Sequence, residues 1–101
     1  MQKLMTGEIA KGLPPLYAQD GAEDPMAYVH YFSCVSGWDW WLAEYDPATG
    51  EVFGLVRGFA TEWGYFSVAE MKGLNRSRGF AVVERDERFS PVPVSLIEGR
   101  R

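Results

Sequence analysis

The segment Asp46-Pro47-Ala48-Thr49-Gly50 constrains this chain more than any other. It puts proline at a turn position and glycine where positive φ is often needed, between two runs dense in β-branched and aromatic residues. Trp38 to Tyr45 runs into it and Glu51 to Gly58 runs out of it, so a β-hairpin is predicted at the centre of the sequence. Strand character extends to either side. Met26 to Val35 has Tyr28, His30, Phe32 and Cys34 on one face and Val29, Tyr31 and Val35 on the other, and Ser36-Gly37 turns it into the hairpin. Phe53 and Leu55 face one way from the third strand, Val52 and Val56 the other. Trp63 to Phe66 reads as a short fourth strand and Phe80 to Arg85 as a last one.

Two short helices flank these strands. Residues 3 to 13 can put Leu4, Ile9 and Leu13 on one stripe, and Pro14-Pro15 stops the helix because proline restricts the preceding residue and donates no N–H. Leu13-Pro14-Pro15-Leu16-Tyr17 is then an extended connector, followed by an acidic surface loop from Asp20 to Pro25. Ser67-Val68-Ala69-Glu70 fits a capping box, with Phe66 and Met71 at the hydrophobic-staple positions and Gly73 as the stop, which gives a helix over 67–74. After the last strand, Pro91 and Pro93 limit ladder pairing and predict an extended tail to residue 101. The expected architecture is α+β, a mostly antiparallel sheet of four or five strands with two short helices, in a single domain over 1–101.

Composition bears on class. A chain of 101 residues buries roughly 60 to 70% of the surface its unfolded form exposes, enough for one core. Four Trp, five Tyr and six Phe supply that core with area. In an extended segment Trp38 and Trp40 share one face and Trp41 takes the other, so at least one of the three should be partly exposed or should cover a helix or the tail. The lone Cys34 forms no internal disulfide. Met1 to Thr6 lacks the apolar region of a signal peptide, and no stretch nears the ~18 apolar residues of a membrane span, so a soluble, cytoplasmic protein is expected.

Catalytic patterns are weak. His30 and Cys34 would adjoin in a helix, but a strand separates them by about 13 Å, so a Cys-His nucleophile pair fails on geometry and His30 reads as a half-buried structural residue. A structural zinc site needs four Cys or His ligands where this chain has two, and no calcium loop, phosphate-binding loop or nucleophile elbow is present. Glu44 and Asp46 share a side of an extended chain, a pairing common on acidic surfaces. Arg78-Gly79-Phe80-Ala81 matches the opening of an RNA-recognition signature, but Val82 and Arg85 stand where aromatics should follow. The expectation is a non-enzymatic protein with neither cofactor nor metal.

Charge is distributed unevenly. The formal sum is -4, yet residues 1–70 carry three basic and ten acidic side chains and residues 71–101 seven basic and four acidic. No Lys or Arg occurs between Lys11 and Arg57. The plainer reading is a solvated acidic surface. The functional one is an acidic docking face formed by Asp39, Glu44, Asp46 and Glu51 with Trp41 as aromatic anchor. Lys72, Arg76 and Arg78 are the alternative, a contact to nucleic acid, although the overall balance argues against a general nucleic-acid binder.

The chain also resembles domain-of-unknown-function family 2958, small proteins of plasmids, prophages and other bacterial mobile elements. The resemblance runs through Leu13 to Ala18, Trp38 to Asp46, Phe53 to Gly58, Glu62 to Ser67, Glu84-Arg85-Asp86 and Phe89-Ser90-Pro91. Trp63 and Ser90 depart from the pattern, where a smaller aliphatic and a basic residue are expected. The family carries no established activity, so the resemblance implies a genomic setting. That setting suggests an inhibitor of host defence, of the anti-CRISPR or anti-restriction kind, docking on a host protein or ribonucleoprotein with a basic nucleic-acid channel. The alternative is a nucleic-acid-associated accessory module for plasmid replication or transfer.

Overall fold

The computed structural model describes residues 2–98. The elements run α1 (Gly7–Gly12), β1 (Met26–Ala27), β2 (Val29–Ser33), β3 (Asp39–Asp46), β4 (Glu51–Arg57), β5 (Thr61–Ser67), α2 (Val68–Arg78), β6 (Val83–Arg85), β7 (Val92–Pro93) and α3 (Val94–Glu98). Five strands form one antiparallel sheet in the order β5-β4-β3-β2-β6, and β1 pairs with β7 apart from it. The α+β expectation holds, with three helices in place of two.

The β3–β4 hairpin forms at the predicted turn. Asp46 accepts from the Ala48 amide at 2.9 Å, and Gly50 takes φ 80°. Upstream, the strand pattern is interrupted. The ladder slips between Leu42 and Glu44, so Ala43 is a bulge and the alternation inverts across it. Leu42 and Tyr45, three apart, therefore enter the same core with Val29, Tyr31, Val52 and Val83. Trp41 and Leu55 lie on the opposite face, with Ala27, Val94 and Ile97. Gly54 pairs with Leu42 beside the bulge, where a Cβ would stand 2.0 Å from the Trp41 carbonyl oxygen.

The first face is closed by the N-terminal segment and α2. Leu4 and Leu13 are buried there, but they flank α1 rather than lie within it, because Thr6 caps the helix and accepts from the Ile9 amide. The Tyr31 hydroxyl donates to the Leu4 carbonyl at 2.5 Å, and burial holds that phenol well above its ordinary value. Ser67 accepts from the Glu70 amide, as the capping box predicts, and Phe66 and Met71 both pack into this core. Gly73 does not end the helix. The stop falls at Gly79, which takes φ 76°, one turn after buried Asn75 has clasped Val83 through both amide groups.

The second face is closed only in part. Met26 to Val35 breaks at Tyr28 into β1 and β2, which lets β1 meet the C-terminal segment. The expected extended tail is β7 and α3, with Asp24 of the acidic loop accepting from the Ser95 amide and hydroxyl at 3.0 and 2.6 Å. That pairing holds the Asp24 carboxyl below its usual range. The end of the expected tail, residues 99–101 with Arg100 and Arg101, lies outside the described residues.

The two strand glycines separate cleanly in a stability measurement. Gly54→Ala should lower unfolding free energy by about 3 kcal/mol, the upper range for a forced overlap in a packed region. Gly64→Ala, whose Cβ meets nothing within 4 Å, should raise it by up to about 1 kcal/mol. Urea denaturation of the two variants beside the parent checks both signs.

Candidate functional site: an aromatic cleft over a buried carboxylate

The expected docking residues do not form one acidic face. Trp41 is 5% exposed, its ring packed against the His30 imidazole, stacked at 4.9 Å between centroids, and against the Arg57 guanidinium, 4.8 Å from the ring centroid. It cannot anchor a partner. Asp39 divides its oxygens between His30 Nε2 at 2.7 Å and Arg57 at 3.0 Å, and His30 Nδ1 faces Asp86 at 3.3 Å. Asp39 is thus held within a charge network, and His30 is half-buried, as expected. Asp46 serves the hairpin turn, accepting from Ala48 and from the Thr49 hydroxyl. Of the four proposed acids only Glu51 is exposed. Cys34 is exposed and donates to Glu84 at 3.1 Å. This contact first, then burial, raises its pKa, the opposite of an activated nucleophile.

Glu44 is the larger correction. It is 4% exposed, because the bulge turns it onto the second face beneath the connector. One carboxylate oxygen accepts from the Tyr17 amide and the other from the Gln19 amide, each at 2.7 Å. Gln19 fixes the same loop, donating to the carbonyls of Ala43 and Met26 and accepting from the Met26 amide. The turn so held contains the only non-glycine residue with positive φ among those described, Tyr17 at 72°. An L-residue in that conformation costs roughly 1–2 kcal/mol, which the charge-assisted bonds to Glu44 offset.

The strained turn carries an exposed aromatic ring. Tyr17 is 67% exposed and lines, with Phe53, Trp63 and Tyr65, a cavity of about 280 Å3. Phe53 stacks on Trp63 at 5.3 Å and meets Tyr65 at 4.9 Å. Trp63 and Tyr65 remain 36% and 51% exposed. Glu44 and Asp20 also line the space. The Tyr65 phenol is raised above its ordinary value, first by interaction with the Tyr17 side chain and then by burial, with lesser contributions from Tyr17, Glu51 and Glu44. Aromatic faces with carboxylates behind them attract a cation.

Sequence reasoning missed these four aromatics. Phe53, Trp63 and Tyr65 were legible in principle, since cross-strand neighbours on one face follow once β4 and β5 are paired in register. Tyr17 had no signal, because its placement depends on a carboxylate 27 residues away.

A second concavity lies on the other face. About 630 Å3 of groove runs between the N-terminal segment and α2, lined by Lys3, Lys72 and Arg76 with Gln2, Met5 and Asn75. Lys72 and Arg76 come together one helical turn apart because α2 continues to Arg78; the expected helix over 67–74 leaves Arg76 outside it. Arg78 does not line the groove and sits in the last turn of α2, where a cation complements the carbonyl end. Lys3 joins from the N-terminal segment, and no acidic residue lines the groove among the described residues.

With both sites placed, the family can be assigned. The model of a protein family of unknown function, DUF2958, matches residues 4–96. The chain belongs to DUF2958. The match spans the connector, Glu44, all three floor aromatics and α2. No curated protein and no solved structure gives a match. Among the described residues, no helix of this DUF2958 protein is long and apolar enough to cross a membrane.

Glu44 can be tested apart from any ligand. Glu44→Gln replaces an acceptor with an N–H2 group facing a backbone amide and should cost about 2 kcal/mol. Tyr17→Gly removes the left-handed penalty and should gain up to about 1 kcal/mol. Thermal unfolding of the two variants checks the opposite signs.

Proposed function

We propose that this protein is a non-enzymatic binding module that docks on a basic partner through the cleft of Tyr17, Phe53, Trp63 and Tyr65. The observation that carries the proposal is the strained Tyr17 turn, in which a buried carboxylate is used to hold an exposed aromatic ring over the other three. Strain concentrated at an exposed aromatic residue is the kind of outlier that marks a ligand clamp. Lys and Arg side chains suit the cleft, since the ring faces attract a cation and Glu44, Asp20 and Glu51 add negative charge. In the mobile-element setting that the family resemblance implies, the partner is a host defence complex with a basic nucleic-acid channel, of the CRISPR or restriction kind.

A second reading rests on the groove of Lys3, Lys72 and Arg76. Three cations around an acid-free concavity suit a nucleic-acid backbone, which is what an accessory module for plasmid replication or transfer would grip.

Cleavage by purified restriction and CRISPR nucleases, titrated with the protein, separates the two. The first reading expects inhibition saturating near equimolar protein, about tenfold weaker for Trp63→Ala and for Tyr17→Gly and unchanged for Lys72→Glu. Unimpaired cleavage together with no salt-sensitive binding to an Arg-rich peptide would sink it. The second reading expects DNA or RNA binding whose logarithmic salt slope is about -2.7 for three phosphate contacts and falls with Lys72→Glu. Absence of binding at low salt rejects it.

A further inference from the structure

The two edges of the five-stranded sheet are treated differently. On β6 the backbone groups that point away from the sheet are those of Val83 and Arg85, and both are closed by side-chain amides. Asn75 bonds the Val83 N–H and C=O at 2.8 and 2.9 Å, and Gln2 bonds those of Arg85 at 2.7 and 2.9 Å. That edge cannot accept another strand. On β5 nothing comparable occurs. The Val68 amide donates to Gly50 and the Gly58 amide to Ala60, each at 3.0 Å, which makes Glu51 with Ser67 and Arg57 with Thr61 non-hydrogen-bonded pairs. By alternation Glu62, Gly64 and Phe66 bond to β4, while Thr61, Trp63, Tyr65 and Ser67 turn their N–H and C=O groups outward. Among the described residues the outward groups of Thr61, Trp63 and Tyr65 have no partner, whereas Ser67, as the N-cap of α2, keeps only its N–H open because its C=O accepts the first bond of the helix.

This edge also lacks the usual protection. Thr61 to Ser67 contains no Lys, Arg or Pro and no bulge, and its only charge is Glu62. At its midpoint stands Gly64, and the single chain gives no reason for it. Gly54 opposite is required by the Trp41 carbonyl, whereas a Cβ on Gly64 meets nothing within 4 Å and the φ is unexceptional. An interior strand glycine without a local cause marks a place where another backbone comes close.

We infer that β5 pairs antiparallel with β5 of a second copy of this chain, about a two-fold axis at Gly64. That register sets Thr61 opposite Ser67 and Trp63 opposite Tyr65 of the second copy. The outward-turned residues on each strand then fall at hydrogen-bonding positions, Trp63 and Tyr65 through both backbone groups and the strand ends through the Ser67 N–H to the Thr61 C=O. Glu62 meets Phe66, so no like charges oppose each other. Gly64 meets Gly64 in a non-hydrogen-bonded pair, the closest kind, at about 4.5 Å between Cα atoms. The two sheets become one of ten strands, and the two aromatic floors become neighbours across the axis. A partner carrying several cations would then meet two clefts together, although the pairing itself depends on the backbone and on the face opposite the cleft.

Charge at the axis tests this without touching the aromatics. Gly64→Lys and Gly64→Glu each place two like charges face to face in the pair, and sedimentation should show dissociation constants raised about tenfold or more over the parent. An equimolar mixture of the two variants should associate more tightly than either variant alone, since Lys then faces Glu. A parent that sediments as a monomer at every concentration overturns the inference, as do variants that associate like the parent. Amide exchange of the unsubstituted protein gives an independent reading. The Trp63 and Tyr65 amides should exchange more slowly as concentration rises, and concentration-independent exchange there also rejects the pairing. Loss of the dimer would leave the cation-binding cleft intact, so failure here and failure of the docking proposal are distinguishable.

Discussion

One extra residue in β3 organises the second face of this protein. A strand that alternated regularly from Trp41 would put Glu44 on the side of Leu42, inside a core of Val29, Tyr31 and Val52, where an unpaired carboxylate costs several kcal/mol. The bulge at Ala43 sends Glu44 to the other face and puts Tyr45 in the core instead. The Ala43 carbonyl takes its hydrogen bond from the side-chain amide of Gln19. The carboxylate takes two backbone amides from the connector, and the connector presents Tyr17. The cleft is therefore the far end of a chain of hydrogen bonds that begins with a slip in the ladder. The glycine at position 54 lets that slip occur against the neighbouring strand.

The acidic stretch acquires a different meaning once each carboxylate is placed. Asp24 holds α3, Asp39 balances His30 and Arg57, Glu44 holds the connector and Asp46 closes the hairpin. Each is occupied by donors within the fold. What remains for a partner is Asp20, Glu23 and Glu51, exposed on their own loops and strand end. Electrostatic docking across a broad face is thus a poor description of what this surface offers, and local recognition in a cleft is a better one.

Legibility followed the range of the determining interaction. The hairpin and the α2 cap are set by residues within five positions of each other, and both formed as the sequence predicts. The stripe of Leu4, Ile9 and Leu13 predicts a helix over 3–13; Leu4 and Leu13 are buried, but the helix between them is short, since Thr6 supplies a cap that overrides a longer stripe. Gly73 predicts a stop because glycine commonly ends helices, yet Asn75 needs another turn to reach Val83. Only the docking reading needs Trp41 and Glu44 at the surface, and both are buried. Their burial comes from α3, from the connector and from a bulge, none of which leaves a mark in the strand's own alternation.

The exposed aromatics follow from an imbalance in cover. The first face receives α1, the N-terminal segment and α2, and it closes. The second receives only β7, α3 and the connector, which reach Trp41, Leu55 and Ala43 and stop there. Beyond them lie β5 and the Phe53 end of β4, so Phe53, Trp63 and Tyr65 lie past the end of the chain's own covering. A sheet of five strands with so short a covering segment must either make its outer strands polar or leave apolar rings open. β5 carries Trp63 and Tyr65 on that side, and the Tyr17 turn is held at the boundary where covering ends. Solubility alone would favour polar residues there and a relaxed backbone at Tyr17. Their combination is intelligible as the cost of keeping an aromatic surface accessible.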